Sequence, residues 1–418
     1  MYRILAAQGS LILAISLVQL VNGYMGTLVG IRIADAGAHP LATGIVTSAF
    51  FFGYAIGSVL CKSIIQSNGH IRAFATFAAT AAIGILGLAI YFGPVPWTIF
   101  RLMMGFGGAG LFVTTESWLS AKSSPATRGK VFSVYMVATY LTFGGSQFIL
   151  LLGSPEEALL FELGAMVLCI ALILVAITRS EQPQIAPIVP LRAGELLHAA
   201  PVAVLGCLVA GMNSGAFYAL MPVYGESSGY PLIQISSYIA LVIFGGMLLQ
   251  VPAGKLSDRF DRRLVAGSFA LAFAALAVAI PWIRGTIMFE PLWLLFGGFM
   301  SIIYPVCVAH ANDRMPAERA VAVSGRMILI SGVGSALGPL FGSAVMSAFG
   351  VIGLFYFMAG IAGLFGLLAL ARGALVVPPS FKRSRPFLLL QAIFAQNLAH
   401  APDESDEAPA QAAGRGEA

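Results

Sequence analysis

Charge is scarce in this chain: Asp, Glu, Lys and Arg together make up 10% of its 418 residues, against about 25% in soluble globular proteins. So little charge cannot keep a folded surface in water, and the solvent must be lipid. Cysteine is scarce too. Cys61, Cys169, Cys207 and Cys307 lack CxxC spacing, so small apolar packing is a better reading than a metal or redox site. No GxxxxGK[ST] loop is present to cradle a nucleotide, which argues against ATP as the energy source. His, Ser and acidic residues do not cluster at one depth as an intramembrane enzyme would need, and no cofactor is expected. The centre of every apolar run also lacks an acid.

What the chain has is apolar length. Hydrophobic residues reach 58%, with a mean hydropathy of +0.89. Runs of about twenty apolar residues are long enough to cross a bilayer as α-helices, and a membrane barrel would show short alternating segments instead. In the first half six spans are expected, at Ser10–Ile33, Leu41–Cys61, Phe74–Phe92, Trp97–Leu119, Val131–Leu152 and Ala158–Ile177. The second half adds Ala200–Tyr224, Leu232–Val251, Leu264–Ile283, Leu292–Ala311, Val321–Met346 and Val351–Leu370. The first run is too long for a signal-peptide core and is expected to remain as an anchor.

Apart from Arg32, Arg284, Arg101 inside a span and Arg415 far along the tail, all 23 Lys and Arg residues fall on one side of this topology. The positive-inside rule places that side, and both termini, in the cytoplasm. The net charge of +5 restates this loop bias and gives no argument for nucleic acid. The organisation is then a six-helix bundle over 1–178, a proline-bearing cytoplasmic linker over 179–199, a second bundle over 200–372 and a tail over 373–418. The tail's "FKRSRP" suits anionic headgroups, and its acidic, Ala-rich end has the composition of a disordered segment.

One six-span unit is used twice. At an offset of 192, Gly53 falls on Gly245, Val59 on Val251 and Gln66 on Asp258. At 191, "PATRGKVFSVYM" from Pro125 meets "PAERAVAVSGRM" from Pro316, and Asn22 meets Asn213. Parallel repeats joined by a cytoplasmic linker imply two bundles about an axis along the membrane normal, with a site between them.

"GKLSDRFDRRL", 254–264, resembles the inner-loop motif of the major facilitator superfamily, and "RLMMGFGGAG" from Arg101 is similar to its fourth-span motif. "ESWLSAKSSPATRG" with "VFSVYM" resembles the bacterial YcaD-like branch. The resemblance covers nearly the whole chain. It implies an all-α membrane protein of twelve transmembrane helices in two parallel six-helix repeats. The implied activity is secondary transport of a small solute across the bacterial cytoplasmic (inner) membrane by alternating access, with protons as the coupling ion. A membrane solute sensor that does not transport is the alternative. Drug efflux and metabolite transport both stay open. Both halves of the cavity lie in one chain, so a monomer suffices.

In that family the loop motif latches one half to the other. A carboxylate at the end of span 8 can accept bonds from the free N–H groups at a neighbouring helix N-terminus, worth about 0.3 to 2 kcal/mol. The resemblance assigns this part to Asp258, facing the start of span 5 near Arg128, with Gly254, Arg259 and Arg262 around it and Arg319 at the repeat position. Gln66 replaces the expected Asp in the first-half copy, where Gly69 and Arg72 follow. Solvated loop residues obeying the positive-inside rule would equally account for Arg262 and Arg263. Glu116 lies fifteen residues from Arg101, about 22 Å along a helix, so the two do not touch. It is expected to pair with Arg72 or Arg128 in a cytoplasmic gate.

By analogy, spans 1, 4, 7 and 10 line the cavity. Arg101, costly to bury unpaired, faces a wet cavity or snorkels to the headgroups. Arg32 either faces the cavity or pairs with Asp35 three residues on. Asn22 and Asn213 bind substrate or bond helix to helix. Tyr218, Gln147, Gln250 and Tyr304 complete the candidates. The two arginines lean toward an anionic or zwitterionic solute.

Overall fold

The computed structural model describes residues 2–123, 125–177, 193–283, 289–316 and 319–375, with the backbone alone at 2–7, 40, 121, 125–130, 193, 321, 374 and 375. The regular elements among them are helical. The first half holds α1 (Tyr2–Asp35), α2 (Pro40–Ile90), α3 (Pro94–Ala121), α4 (Pro125–Gly145), which a 3-10 segment Ser146–Leu152 continues, and α5 (Leu159–Ala176). A short α6 (Ala193–Ala199) follows. The second half holds α7 (Pro201–Ser227), α8 (Leu232–Arg259), α9 (Arg262–Ala279), α10 (Phe289–Asp313), α11 (Ala320–Phe349) and α12 (Gly353–Leu375). Pro opens α2, α3 and α7 at the first turn, where its missing N–H has no helical partner to lose.

Eleven of these helices are long and apolar enough to cross a membrane. One of them, α2, has 51 residues, about 75 Å at helical rise and more than twice the hydrocarbon thickness. It is two legs. Gly69 interrupts the helix with φ 78° and ψ 168°, a backbone setting that favours glycine. Gly53 and Gly57 lie against Leu102 and Phe106 of α3, whereas Gly84 meets Phe100 and Phe77 faces Gly107, so the first leg runs parallel to α3 and the second antiparallel. Twelve legs result. The stretch expected as a loop, 62–72, is helical except at Gly69. Ser67 Oγ and Asn68 Nδ2 bond the carbonyls of Ser63 and Ile64, which satisfies carbonyls at the end of the first leg.

A close crossing recurs at the repeat offset. A Cβ on Gly53 would strike the Leu102 carbonyl, and one on Gly105 the Phe50 carbonyl. In the second half the same holds for Gly245 with Leu294 and Gly297 with Val242. Each residue of the second set stands 192 after its counterpart. Backbone therefore rides on backbone where α2 crosses α3 and where α8 crosses α10.

Trp97, Trp118 and Trp293 are fully buried, while Leu13, Ile83, Ile173, Leu248 and Leu364 stand more than half exposed around the outside. An apolar girdle of that extent suits lipid and not water. Between the halves, Gly30 of α1 meets Pro222 of α7, and Gly44 of α2 meets Pro339 and Ser343 of α11. These contacts lie toward the helix ends away from α6. The expected linker is helical over Ala193–Ala199; 178–192 and the tail from 376 lie outside the described residues.

Candidate functional site

Six legs from both halves enclose a cavity of about 60 Å³. Tyr54 and Ser58 reach it from α2, Tyr140 from α4, Tyr218 from α7, Gln250 from α8 and Tyr304 from α10, while serines of α11 complete the wall. None of the lining residues carries a formal charge. Tyr140 Oη meets Gln250 Oε1 at 3.3 Å, a hydrogen bond from the first half to the second. Most of the wall lies in the leg halves nearer α6, the end opposite the close contacts just described.

A second cavity of about 30 Å³ adjoins the first, and Tyr54 and Tyr218 belong to both walls. Arg101 lines it with Asn22 and Thr27 of α1 and the rings of Phe50, Phe112 and Phe143. Arg101 is 4% exposed, its guanidinium carbon 4.7 Å from the centre of the Phe50 ring, and its Nε has no hydrogen-bond partner. The side chain points inward. Snorkelling to a headgroup is therefore excluded, because a snorkelling guanidinium would be exposed.

Three other candidates lie elsewhere. Gln147 is 1% exposed and braces two elements: it accepts from Thr27 Oγ1 at 2.8 Å and donates to the Gly23 carbonyl at 2.8 Å. Its expected cavity place is corrected to a helix-to-helix clamp. Arg32 lines neither cavity and is not paired with Asp35. Its guanidinium carbon sits 5.3 to 5.9 Å from the rings of Phe92, Trp97 and Phe161, a cation–π cage, while Asp35 stands near Glu226 of α7. Asn213 is fully buried with neither amide atom bonded, unlike Asn22 in the Arg101 pocket.

Among the latch residues, Arg262 and Arg263 are not solvated. Each is 4% exposed. Arg262 pairs with Asp258 at 3.3 Å and with Asp313 of α10 at 2.8 Å. Arg263 pairs with Asp261 at 2.7 Å and donates to the Arg372 carbonyl of α12 at 3.0 Å. Asp261 caps the start of α9, accepting the Arg263 backbone N–H at 2.8 Å. Burial raises its pKa, but the hydrogen bonds and charge of Arg263 outweigh that and hold it below the usual carboxylate value. Gly254 is buried beside this network, while Arg259, Gln66 and Arg72 are exposed. The side chain of Arg128, the expected partner region of Asp258, lies outside the described residues. Arg319 pairs with Glu195 at 2.6 Å, tying α6 to the start of α11 within one half.

Among the described residues Glu116 has no ion pair, and the Arg128 arm of the expected gate lies outside them. Glu116 is 6% exposed, and Tyr135 Oη donates to Oε1 at 2.9 Å. Arg72 is turned to the surface. Tyr54, Tyr140 and the Phe50 ring were missed by the sequence reading because they lie on spans 2 and 5, which the analogy did not name as cavity walls.

A family model described as Major Facilitator Superfamily matches residues 11–325 and 204–399. The chain is 29% identical over 369 residues to the MFS-type transporter YcaD of Salmonella enteritidis, covering 87% of this chain and 95% of that one, and equally to YcaD of Salmonella typhimurium. Among solved structures, nucleoside transporter NupG in a mutant form aligns with TM-score 0.74 at 12% identity, over 87% of this chain and 99% of that one. A D-xylose-proton symporter aligns with TM-score 0.65 at 17% identity, over 89% and 98%.

Proposed function

The chain belongs to the Major Facilitator Superfamily, a family of membrane transporters and not enzymes, and from that membership we propose that it carries a small solute across the bacterial cytoplasmic membrane by alternating access, driven by protons. The observation that carries this reading is the larger cavity, walled by Tyr54 and Tyr140 of the first half and by Tyr218, Gln250 and Tyr304 of the second. A rocking of one half against the other changes such a wall directly. The basic loops assign the α6 side to the cytoplasm. The contacts of Gly30 and Gly44 then bring the halves together toward the outer end, and most of the cavity wall lies toward the inner one.

Arg101 supplies the solute's expected chemistry. A buried guanidinium whose Nε is unbonded, beside the Asn22 amide and the Tyr218 hydroxyl, suits a carboxylate or another small anionic group. Tyr218 and Tyr54, shared by both walls, join that anchor to the uncharged remainder of the cavity. The solute is accordingly anionic or zwitterionic, with its charged end toward Arg101. One chain supplies the whole site, and the monomer is the transporting unit.

Thermal unfolding of the purified protein against small carboxylates, amino acids and uncharged metabolites tests the assignment. A ligand at a hundred times its dissociation constant adds about 2.7 kcal/mol of stability. Stabilisation by one anionic or zwitterionic class, lost in Arg101→Ala, is expected, followed by accumulation of that solute in liposomes under an imposed pH gradient. Equal stabilisation of both proteins removes Arg101 from the site. Uptake indifferent to the pH gradient removes the proton coupling.

A further inference from the structure

The transporter reading needs a group that takes up the coupling proton, and the sequence offers no acid at the centre of a span. The structure supplies one buried behind the cavity wall, in the field of two of its tyrosines. Glu116 on α3 is 6% exposed, and its one hydrogen bond comes from Tyr135 Oη of α4. No ion pair reaches it among the described residues. Tyr54 of α2 and Tyr304 of α10 stand within electrostatic range of its carboxyl. One phenol thus bonds the acid and two more stand in its field, from three different helices and from both halves. On α3 itself, neighbouring Ser117 is turned away toward His70 Nε2, 3.0 Å distant.

Two of those phenols are also cavity wall. Tyr54 and Tyr304 line the larger cavity, and Tyr54 continues into the pocket that holds Arg101. The solute cavity and the pocket of the buried guanidinium are therefore joined by Tyr54, which also stands in the field of the acid. Glu116 and Arg101 are remote along α3, yet Tyr54 borders the surroundings of both.

We propose that Glu116 is the residue that binds and releases the coupling proton, with Tyr135 as its positioning residue. This inference rests on the proton-coupled reading above. An ionised carboxylate with a phenol beside it and no cation is costly to seal away from water, whereas the neutral acid is not. While the cavity is wet, Glu116 can exchange a proton with cavity water. Closing the cavity requires the proton to be aboard. In the uptake step one carboxylate oxygen gains an O–H bond from a hydronium ion, and Tyr135 keeps its own proton. In release the same O–H bond breaks toward water on the other side. The second half contributes Tyr304, so rocking changes the surroundings of the acid together with the shape of the solute site.

The test needs no solute. The full chain, reconstituted in lipid nanodiscs, is titrated between about pH 5 and pH 9 while the infrared C=O stretch of protonated carboxyl groups is followed. Wild type is expected to show a titrating band that is absent from Glu116→Gln. In Tyr135→Phe the band is expected to persist to higher pH, by about one unit, because the donor to the ionised form is gone. Glu116→Gln copies the neutral acid in shape and keeps a hydrogen-bonding oxygen, so it should fold; its elution and melting curve check this. An identical titrating band in wild type and Glu116→Gln would overturn the assignment, as would a Tyr135→Phe midpoint equal to that of wild type. Solute uptake by wild type that ignores the pH gradient is a different result, and it strikes the proton-coupled reading and leaves Glu116 as a titrating site.

Discussion

Arg101→Met should make the empty protein more stable while removing its response to ligand. A charged side chain inside a membrane protein costs about 2.5 to 3.5 kcal/mol on insertion scales. Arg101 is 4% exposed and makes a cation–π contact with Phe50 at 4.7 Å, worth about 0.5 to 2 kcal/mol. Its Nε is unbonded, so little else offsets the cost. Met has similar length, no charge and the flexibility to fill the space among Phe50, Phe112 and Phe143. The net expectation is a gain of about 1 to 2 kcal/mol. Melting in a mild detergent at several ionic strengths, without ligand and then with the best stabilising anion, measures both quantities. A structural Arg101 predicts the reverse: the Met variant melts lower and still responds to the anion. That outcome would refute the argument, because it would mean the guanidinium is satisfied by the protein and not reserved for a solute.

The remaining expectations are separate. Gly53→Ala and Gly245→Ala should each destabilise by about 1 to 3 kcal/mol, since the new methyl meets a backbone carbonyl that cannot swing aside, while Gly145→Ala, with open space at its Cβ, should be neutral or better in the same melting assay. Gln147→Ala should cost about 1 to 2 kcal/mol by removing both bonds and leaving Thr27 Oγ1 without its acceptor; unchanged melting would make the clamp irrelevant. Asp261→Asn should melt lower than wild type at pH 7. The folded pKa of Asp261 lies below its unfolded value, so its contribution is complete above the unfolded value and lost as the pH falls through the folded one; the gap between the two proteins should close below about pH 4.

Span number and repeat offset were legible because both are properties of one strand of sequence: apolar length, and residues recurring 191 to 192 positions on. Arg101 was legible as embedded, since its neighbours are apolar. What its side chain faces was not, because Phe50 and Asn22 lie on other helices. The same limit explains Gln147, whose partners are more than 100 residues away. Arg262 and Arg263 read as loop cations because their run obeys the positive-inside rule, whereas Asp313 and the Arg372 carbonyl that bury them are distant in sequence. Glu116 was placed near a helix end and so assigned to a gate. Depth along a helix says nothing of azimuth, and here azimuth turns the acid toward Tyr135.

The glycine crossings bear on how force passes through the protein. Where α2 meets α3 and α8 meets α10, main chain touches main chain with no flexible side chain to absorb a displacement. Each pair behaves as a stiff lever. A push delivered at the cavity is then carried by each pair as a unit, and the duplicated spacing puts the two fulcrums at equivalent chain positions. Movement is left to the softer seams between the halves, where rings such as Phe143 and Tyr218 meet edge to face and can slide.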